Sequence, residues 1–432
     1  MFKLQDLNQL ANKYGSPFFI YKESTLQKRA RMLQDAVSPK IEVFYSMKAN
    51  PNPFILRVFK DMGLGVEVAS KGELSVALEV GFDPKKIFFT APSKTESELR
   101  LAIEENILAI NVDNFQELEL IEKLANEYQS HVAITFRIHQ YLTPTQNRGL
   151  KMTGTSSQFG VTAGELIQRL NKKTLNSFVR CIGVHTFQGS ENFNSEVYNE
   201  SWQQLIELCE SLEHQGHSIE FLGLGGGFGY DATGKKVFDF DLFKENSRKF
   251  LREHQEFFHN KRLMVESGNF LAREGGWYIT RVLYTKKRED LTHIFVDGGT
   301  HHIPGESRFS RMFSGEQEGI LTIPERTNEE KNIVSIFGKL CTPNDVLKYK
   351  ANLSTLEIGD FIVFPNNGAY ALTSSRLQFL SHDEPAEFFL SNSGEYFLTR
   401  LSKQAKLNFH TNLLDKKKLI IGDVENESTT IK

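Results

Sequence analysis

Short runs of β-branched and aromatic residues recur along the first two-thirds of the chain, each closing on a polar or glycine-containing stretch. They begin at Glu42 (EVFYSMK), Gly65 (GVEVAS), Ile87 (IFFTAP), Leu108 (LAINVDN), His131 (HVAITFRIH), Cys181 (CIGVHTF), Phe221 (FLGLGGG) and Leu263 (LMVESGN). The first four intervals are 23, 22, 21 and 23 residues, the later ones 50, 40 and 42. Helical patterns fill the early gaps. PFILRVFKDM places Phe54, Ile55, Val58, Phe59 and Met62 on one face at helical spacing. Ser70 three residues before Glu73, and Ser93 three before Glu96, read as capping boxes that open helices. Gly81 follows Val80 where the second helix should stop. Eight strands alternating with helices predict an α/β fold, a closed parallel (β/α)8 TIM barrel. A doubly wound open sheet is the competing reading, but it usually has fewer strands, and no GxGxxG follows the first one.

After about residue 280 the texture changes. HIFVDGG, IVSIFGKL, DFIVFPN and AEFFLSN are short runs separated by turns, with no long helical pattern between them. They predict a second, mainly β domain. SPFFIYK near residue 20 is a lone strand ahead of the barrel that is able to pair into it. The expected division is a barrel over 25–280, a β domain from 1–24 plus 281–400, and a polar tail over 401–432. The polar character starts near Ser391 and includes the basic run Lys416–Lys418, a pattern that suggests a solvated helix and a frayed end.

Composition narrows the function classes. Lys plus Arg number 51 against 54 Asp plus Glu, a net charge of −3, so binding to nucleic acid through phosphate neutralisation has little support. Three cysteines in 432 residues exclude a disulfide framework and fit a reducing cytosol. The N-terminus MFKLQDLNQLANKYG lacks the apolar core of a signal peptide, and no apolar stretch is long enough to span a membrane. HExxH, CxxC, GxSxG and GxxxxGKS are all absent, so zinc, serine-hydrolase and P-loop chemistries lose their main signals, and no metal is expected.

In a barrel of this type, chemistry sits at the C-terminal ends of the strands. The first strand ends YSMKAN, which places Lys48 at its tip. Desolvation there would lower its amine pKa and suit a Schiff-base nucleophile; the alternative is a rim lysine reaching water. The seventh strand runs into LGLGGGFGY, where Gly225, Gly226 and Gly227 let the backbone approach a ligand and offer N–H groups as an anion nest. Ser190 in QGS, after strand six, is placed to add a hydroxyl to the same phosphate. The eighth strand ends VESGN. Glu266 there is able to keep a heteroaromatic nitrogen protonated, or else to pair with a rim lysine. In GVHTFQGS, His185 and Phe187 point the same way along strand six. Cys181 and Cys209 read as buried strand cysteines, whereas Cys341 lies in the short loop GKLCTPNDVL.

Taken in order, these segments resemble the fold-type III pyridoxal-phosphate decarboxylases, which include diaminopimelate, ornithine and arginine decarboxylases. The similarity runs from about residue 10 to about residue 390. FYSMKAN resembles the family's cofactor-lysine motif, VEVASKGEL its second-strand segment and LGLGGGFG its phosphate loop. ESGNFL stands where the family has Glu-Pro-Gly-Arg. GKLCTPNDVL is similar to the cysteine motif, NNGAY to the late tyrosine motif and PAEFFL to the closing strand. The resemblance implies pyridoxal 5'-phosphate attached to Lys48. Ser190, Gly225, Gly226, Gly227 and Tyr370 would hold its phosphate, and Glu266 would contact its pyridine nitrogen. It also implies a homodimer with shared active sites. Cys341 would enter the partner's site and protonate the substrate carbon after carbon dioxide leaves, with Asp345 shaping that loop.

The departures bear on substrate. The family's ring-stacking histidine falls at Phe187, with His185 two positions earlier, so either side chain is a candidate to cover the ring. Asn269 replaces the arginine of Glu-Pro-Gly-Arg, and Thr342 replaces the glutamate of the diaminopimelate enzymes' Cys-Glu-Ser. DGG-x-HH and CTPxD look closer to a branch acting on carrier-protein-bound glutamate or siderophore intermediates. His301, His302, Arg308 and Arg311, beside Asn269, Thr342 and Asp345, are then candidates to contact the substrate, although a solvated loop is the plainer reading of the first four. The resemblance thus implies decarboxylation of a conjugated amino-acid-derived substrate. The alternatives are a free amino-acid decarboxylase, a racemase, and a non-catalytic regulatory homologue.

Overall fold

The computed structural model describes residues 2–37, 39–140, 157–230, 238–289, 291–304, 319–326 and 331–404. The chain opens with α1 (Leu4–Tyr14), β1 (Phe18–Lys22) and α2 (Glu23–Ala36). The barrel follows: β2 (Ile41–Ser46), α3 (Pro53–Asp61), β3 (Gly65–Val68), α4 (Lys71–Val80), β4 (Ile87–Thr90), α5 (Glu96–Glu104), β5 (Ala109–Val112) and α6 (Phe115–Tyr128). It continues through β6 (Val132–Arg137), α7 (Ala163–Lys172), β7 (Val179–His185), α8 (Glu196–His214), β8 (Phe221–Gly226), α9 (Phe240–Glu253), α10 (Gln255–Phe258) and β9 (Arg262–Ser267). Strands β2 to β9 close into a parallel barrel in sequence order, the last pairing with the first. All eight strands read from the sequence are present.

Local chemistry explains the helix ends. Asn52 caps α3, with Pro53 at the first helical position. Ser70 accepts from the Glu73 N–H to open α4, and Gly81 ends it in a left-handed conformation. The expected box at Ser93 and Glu96 is displaced by two residues. Thr95 and Glu98 form it instead, because Glu98 reaches back to the Thr95 N–H. Cys209 also lies on a helix, α8, and not on a strand. The slot for a helix between α9 and α3 is taken by α2, which precedes the first barrel strand and packs against both.

Alternate residues of each strand point into the barrel. Its lower interior is apolar, built from Phe44, Phe88, Leu108, Ala109, Ile182, Phe221 and Met264. Each buried phenylalanine there contributes about 2–3 kcal/mol of transfer free energy. One step nearer the C-terminal ends, the inward residues turn polar: Ser46, Glu67, Thr90, Asn111, Thr135, His185 and Glu266, all buried. The strands thus place an apolar floor under a polar cup.

After α11 (Asn269–Ala272) comes β10 (Gly276–Arg288), which belongs to the second sheet. The boundary expected at residue 280 therefore falls inside a strand, and the crossing lies near Gly276. The other strands are β11 (Leu291–Val296), β12 (Leu321–Ile323), β13 (Asn332–Phe337), β14 (Val346–Leu353), β15 (Phe361–Phe364), β16 (Ala386–Leu390) and β17 (Tyr396–Arg400). Together with β1 they form a nine-stranded sheet, in which β1 lies between antiparallel β10 and parallel β16. Leu7 and Ala11 of α1 cover one face, packing on Phe18, Ile20, Ile279 and Phe388. The polar character from Ser391 does not prevent order at first. β17 pairs with β16, and Arg400 Nε donates to Glu387 Oε2 at 2.6 Å. The basic run Lys416–Lys418 lies outside the described residues.

Candidate active site

Lys48 stands in the single turn that follows β2, its side chain 41% exposed into the barrel mouth. Its Nζ lies 4.0 Å from Glu67 Oε1 on β3 and 5.6 Å from the centre of the Phe187 ring. The expected drop in its pKa does not occur. The Glu67 charge raises it, and with help from Glu266 and Tyr370 that attraction outweighs desolvation. Glu67 is itself buried and accepts from Ser46 Oγ. Burial and the nearby Glu266 charge push its carboxyl above the usual range.

Glu266, at the end of β9, faces the same space. Burial opposes its ionisation, but His185, Lys48 and Arg137 together outweigh burial and hold its pKa below the usual value. His185 Nε2 lies 3.0 Å from Glu266 Oε2, while Nδ1 lies 3.0 Å from Asn111 Nδ2. Both nitrogens of His185 are engaged below the mouth, and Phe187 is the side chain that faces Lys48. Arg137, from β6, lies 3.9 Å from Asp113 and 4.3 Å from the Phe159 ring.

The glycine run forms a cradle that side chains would fill. A Cβ at Gly226 would stand 1.8 Å from the Glu266 carbonyl oxygen, and one at Gly227 would stand 1.9 Å from that of Gly189. Gly225 and Gly227 both have positive φ. The anion nest is smaller than expected, because the Gly226 N–H already donates to Gln188 Oε1 at 3.1 Å. Gln188 Nε2 in turn donates to Ser201 Oγ and to the Leu224 carbonyl, each at 2.8 Å, and this fixes the loop from behind. Ser190 lies half-buried on the neighbouring loop. The Tyr370 N–H donates to the Ala49 carbonyl at 2.9 Å, which holds that side chain beside Lys48. A buried carboxylate, an amine in the mouth and a glycine cradle fit a phosphorylated pyridine aldehyde.

The β domain contributes a second set. Cys341 is exposed on a turn between β13 and β14. The Thr342 hydroxyl is used within that turn, accepting from the Asn344 N–H at 3.3 Å. Asp345, expected to contact substrate, is buried with both oxygens occupied. Oδ1 accepts from the Thr300 N–H and Oδ2 from the Leu340 N–H, each at 2.7 Å. It staples the DGG segment to the cysteine turn. His301 and His302 are likewise no solvated loop: both are buried, and His302 Nδ1 lies 2.8 Å from the Tyr278 hydroxyl. Their rings pack 3.7 Å apart, so neither stands open to a substrate in this protomer. Asn269 Oδ1 lies 3.5 Å from Arg273 Nη1. Arg308 and Arg311 lie outside the described residues.

Glu67, Arg137, Asn111 and Gln188 are absent from the sequence-derived set. The signal for the first two was available: a charge within the last two residues of a barrel strand, as at Glu266. Asn111 and Gln188 act through hydrogen bonds that no spacing reveals.

The model of the pyridoxal-dependent decarboxylase family, pyridoxal binding domain, matches residues 23–273. The chain belongs to this family. It is a pyridoxal-phosphate-dependent carboxy-lyase, which removes the racemase and the non-catalytic homologue from the readings. It is 31% identical over 426 residues to the L-glutamyl-[BtrI acyl-carrier protein] decarboxylase of Niallia circulans, covering 97% of this chain and 98% of that one. It is 27% identical to the 2-[(L-alanin-3-ylcarbamoyl)methyl]-2-hydroxybutanedioate decarboxylase of Staphylococcus aureus, covering 87% and 94% of the two chains. The diaminopimelate decarboxylase of M. jannaschii superposes with a TM-score of 0.83 at 25% identity, over 92% of each chain. Both domains thus have the arrangement expected of the fold. Among the described residues, no helix is long and apolar enough to cross a membrane.

Proposed function

We propose that the chain decarboxylates an amino-acid-derived group carried on a larger molecule, a carrier-linked or siderophore-type substrate. The observation that carries this reading is the uncharged character of Asn269 and Thr342, with Thr342 tied into its own turn. A free diaminoacid would be desolvated at its distal end without compensation, whereas a substrate whose far end stays outside avoids that cost. The likeness to the carrier-protein-directed and Staphylococcus aureus enzymes supports the same class.

Lys48 Nζ would hold the cofactor's carbonyl carbon and release it to the substrate amine. Ser190, the backbone of Gly225–Gly227 and Tyr370 would hold its phosphate. Glu266 would keep a proton on the pyridine nitrogen, and Phe187 would cover the ring and exclude water. When bound, pyridoxal phosphate supplies an electron sink for the pair left behind as carbon dioxide departs. Cys341 Sγ would then deliver a proton to the substrate carbon. Its turn belongs to the β domain and is exposed, which suits entry into the mouth of a second copy, so the working unit is a homodimer. Three unpaired cysteines suit a reducing cytoplasm.

The test is carbon dioxide release from a panel of free and conjugated amino acids. Preference for conjugates is expected. Efficient turnover of free diaminopimelate with no such preference would overturn the reading. Reductive trapping of the bound cofactor followed by peptide mapping should place it on Lys48.

A further inference from the structure

Beneath the mouth, one network of hydrogen bonds links five strands. Thr135 Oγ1 on β6 donates to Asn111 Oδ1 on β5 at 2.8 Å. The Asn111 amide donates to Thr90 Oγ1 on β4 at 3.0 Å and reaches His185 Nδ1 on β7 at 3.0 Å. His185 Nε2 then meets Glu266 Oε2 on β9 at 3.0 Å. With its carbonyl oxygen taken by a hydroxyl, Asn111 presents an N–H to the imidazole. Nδ1 must accept it, so the single proton of the neutral ring sits on Nε2 and is donated to Glu266. The ring is 1% exposed and rests 5.4 Å from the Phe88 ring. Gly223 makes room for it, since a Cβ there would come 2.4 Å from His185 Cδ2.

We propose that His185 is a positioning residue: its Nε2–H fixes the orientation and the negative charge of Glu266, and Asn111 fixes which nitrogen of His185 bears that proton. The inference rests on the reading that Glu266 serves the cofactor's ring nitrogen. One Glu266 oxygen is spent on His185, and the other makes no hydrogen bond among the described residues. The other charged and titratable groups around the pair are Glu67, Lys48, Arg137 and Tyr370. Of these, none is hydrogen-bonded to Glu266 among the described residues, so His185 alone sets its direction.

Two substitutions separate positioning from packing. In His185→Gln the side-chain amide reaches the place of Nε2 and still offers an N–H to Glu266. In His185→Asn it reaches only the place of Nδ1. The readout is the NMR shift of the ring nitrogen in holoenzyme loaded with isotopically labelled pyridoxal phosphate, with kcat and KM measured alongside. The parent enzyme and His185→Gln should show a protonated ring nitrogen. His185→Asn should move the signal towards the unprotonated form and lower kcat roughly ten- to a hundredfold with little change in KM, the loss of one hydrogen bond to a charged group. Equal behaviour of the Gln and Asn variants, whether both intact or both impaired, would overturn the role. Glu266→Gln distinguishes the underlying reading: if it leaves the ring-nitrogen signal at the parent position, Glu266 does not serve that atom, and the positioning role fails with it.

Discussion

The amine of Lys48 lies 4.0 Å from the carboxylate of Glu67, and that carboxylate is almost wholly buried. If Lys48 is the amine that takes the cofactor, the pair is an electrostatic lock on the cofactor-free enzyme. A protonated amine cannot attack a carbonyl, and Glu67 favours the protonated form. In Glu67→Gln the attraction is gone, so the Lys48 amine should lose its proton at lower pH. The pH at which added pyridoxal phosphate attaches to cofactor-free protein should shift downward, read from the rate at which its absorption band grows. An unchanged pH dependence would show that Glu67 does not govern the amine.

The glycine cradle predicts a sharp local intolerance. In Gly226→Ala the new methyl would overlap a backbone carbonyl, which cannot swing aside as a side chain could. We expect at least about a tenfold loss in affinity for pyridoxal phosphate, measured by equilibrium titration, with helix content unchanged. Normal retention of the cofactor would mean that the loop has room the geometry denies it.

If Cys341 serves the neighbouring copy, two dead enzymes should repair each other. Lys48→Ala and Cys341→Ala proteins, mixed and allowed to exchange subunits, should recover part of the activity, because one of the two sites in a mixed dimer is intact. Demonstrated exchange with no recovery would count against a shared site.

His301 predicts an acid weakness of the β domain. Burial, with the nearby His382 and Lys339, pulls its pKa down to about 4. The unfolded chain binds a proton near pH 6.5 that the folded form refuses. Stability should therefore fall as pH drops from about 6.5 towards 4, by on the order of 2–3 kcal/mol for this group. His301→Phe should flatten that fall in denaturant titrations at several pH values. A parent and variant that lose stability in parallel would place the acid sensitivity elsewhere.

Much of the frame was legible because strand ends carry their own punctuation. YSMKAN, LGLGGG and VESGN each finish an apolar run with a residue that has no business in a core, and each lies at the barrel mouth. The same rule applied to GVEV and VAITFR would have found Glu67 and Arg137. The histidines were harder. His185 and Phe187 share a strand face in the sequence, but β7 ends at His185, so only the imidazole is locked into the barrel. Phe187 is released into the following loop. His301 and His302 look like a polar turn, and only the packing of Tyr278 beneath them shows that they are interior. Asp345 looks like a site carboxylate until its two backbone donors are seen.

The position of β1 has a consequence for how the protein is made. Residues 18–22 leave the ribosome well before their partners in β10 and β16, which begin only at Gly276 and Ala386. At ~5–20 residues per second, the first of these neighbours arrives roughly 10–50 s later. Throughout that interval the nascent chain carries an apolar strand, FFIY, with no sheet to join, and the barrel itself waits for β9, which ends only at Ser267. A segment made more than 350 residues later thus secures β1, and β16 and β17 must both be made before the Cys341 turn has a complete sheet beneath it.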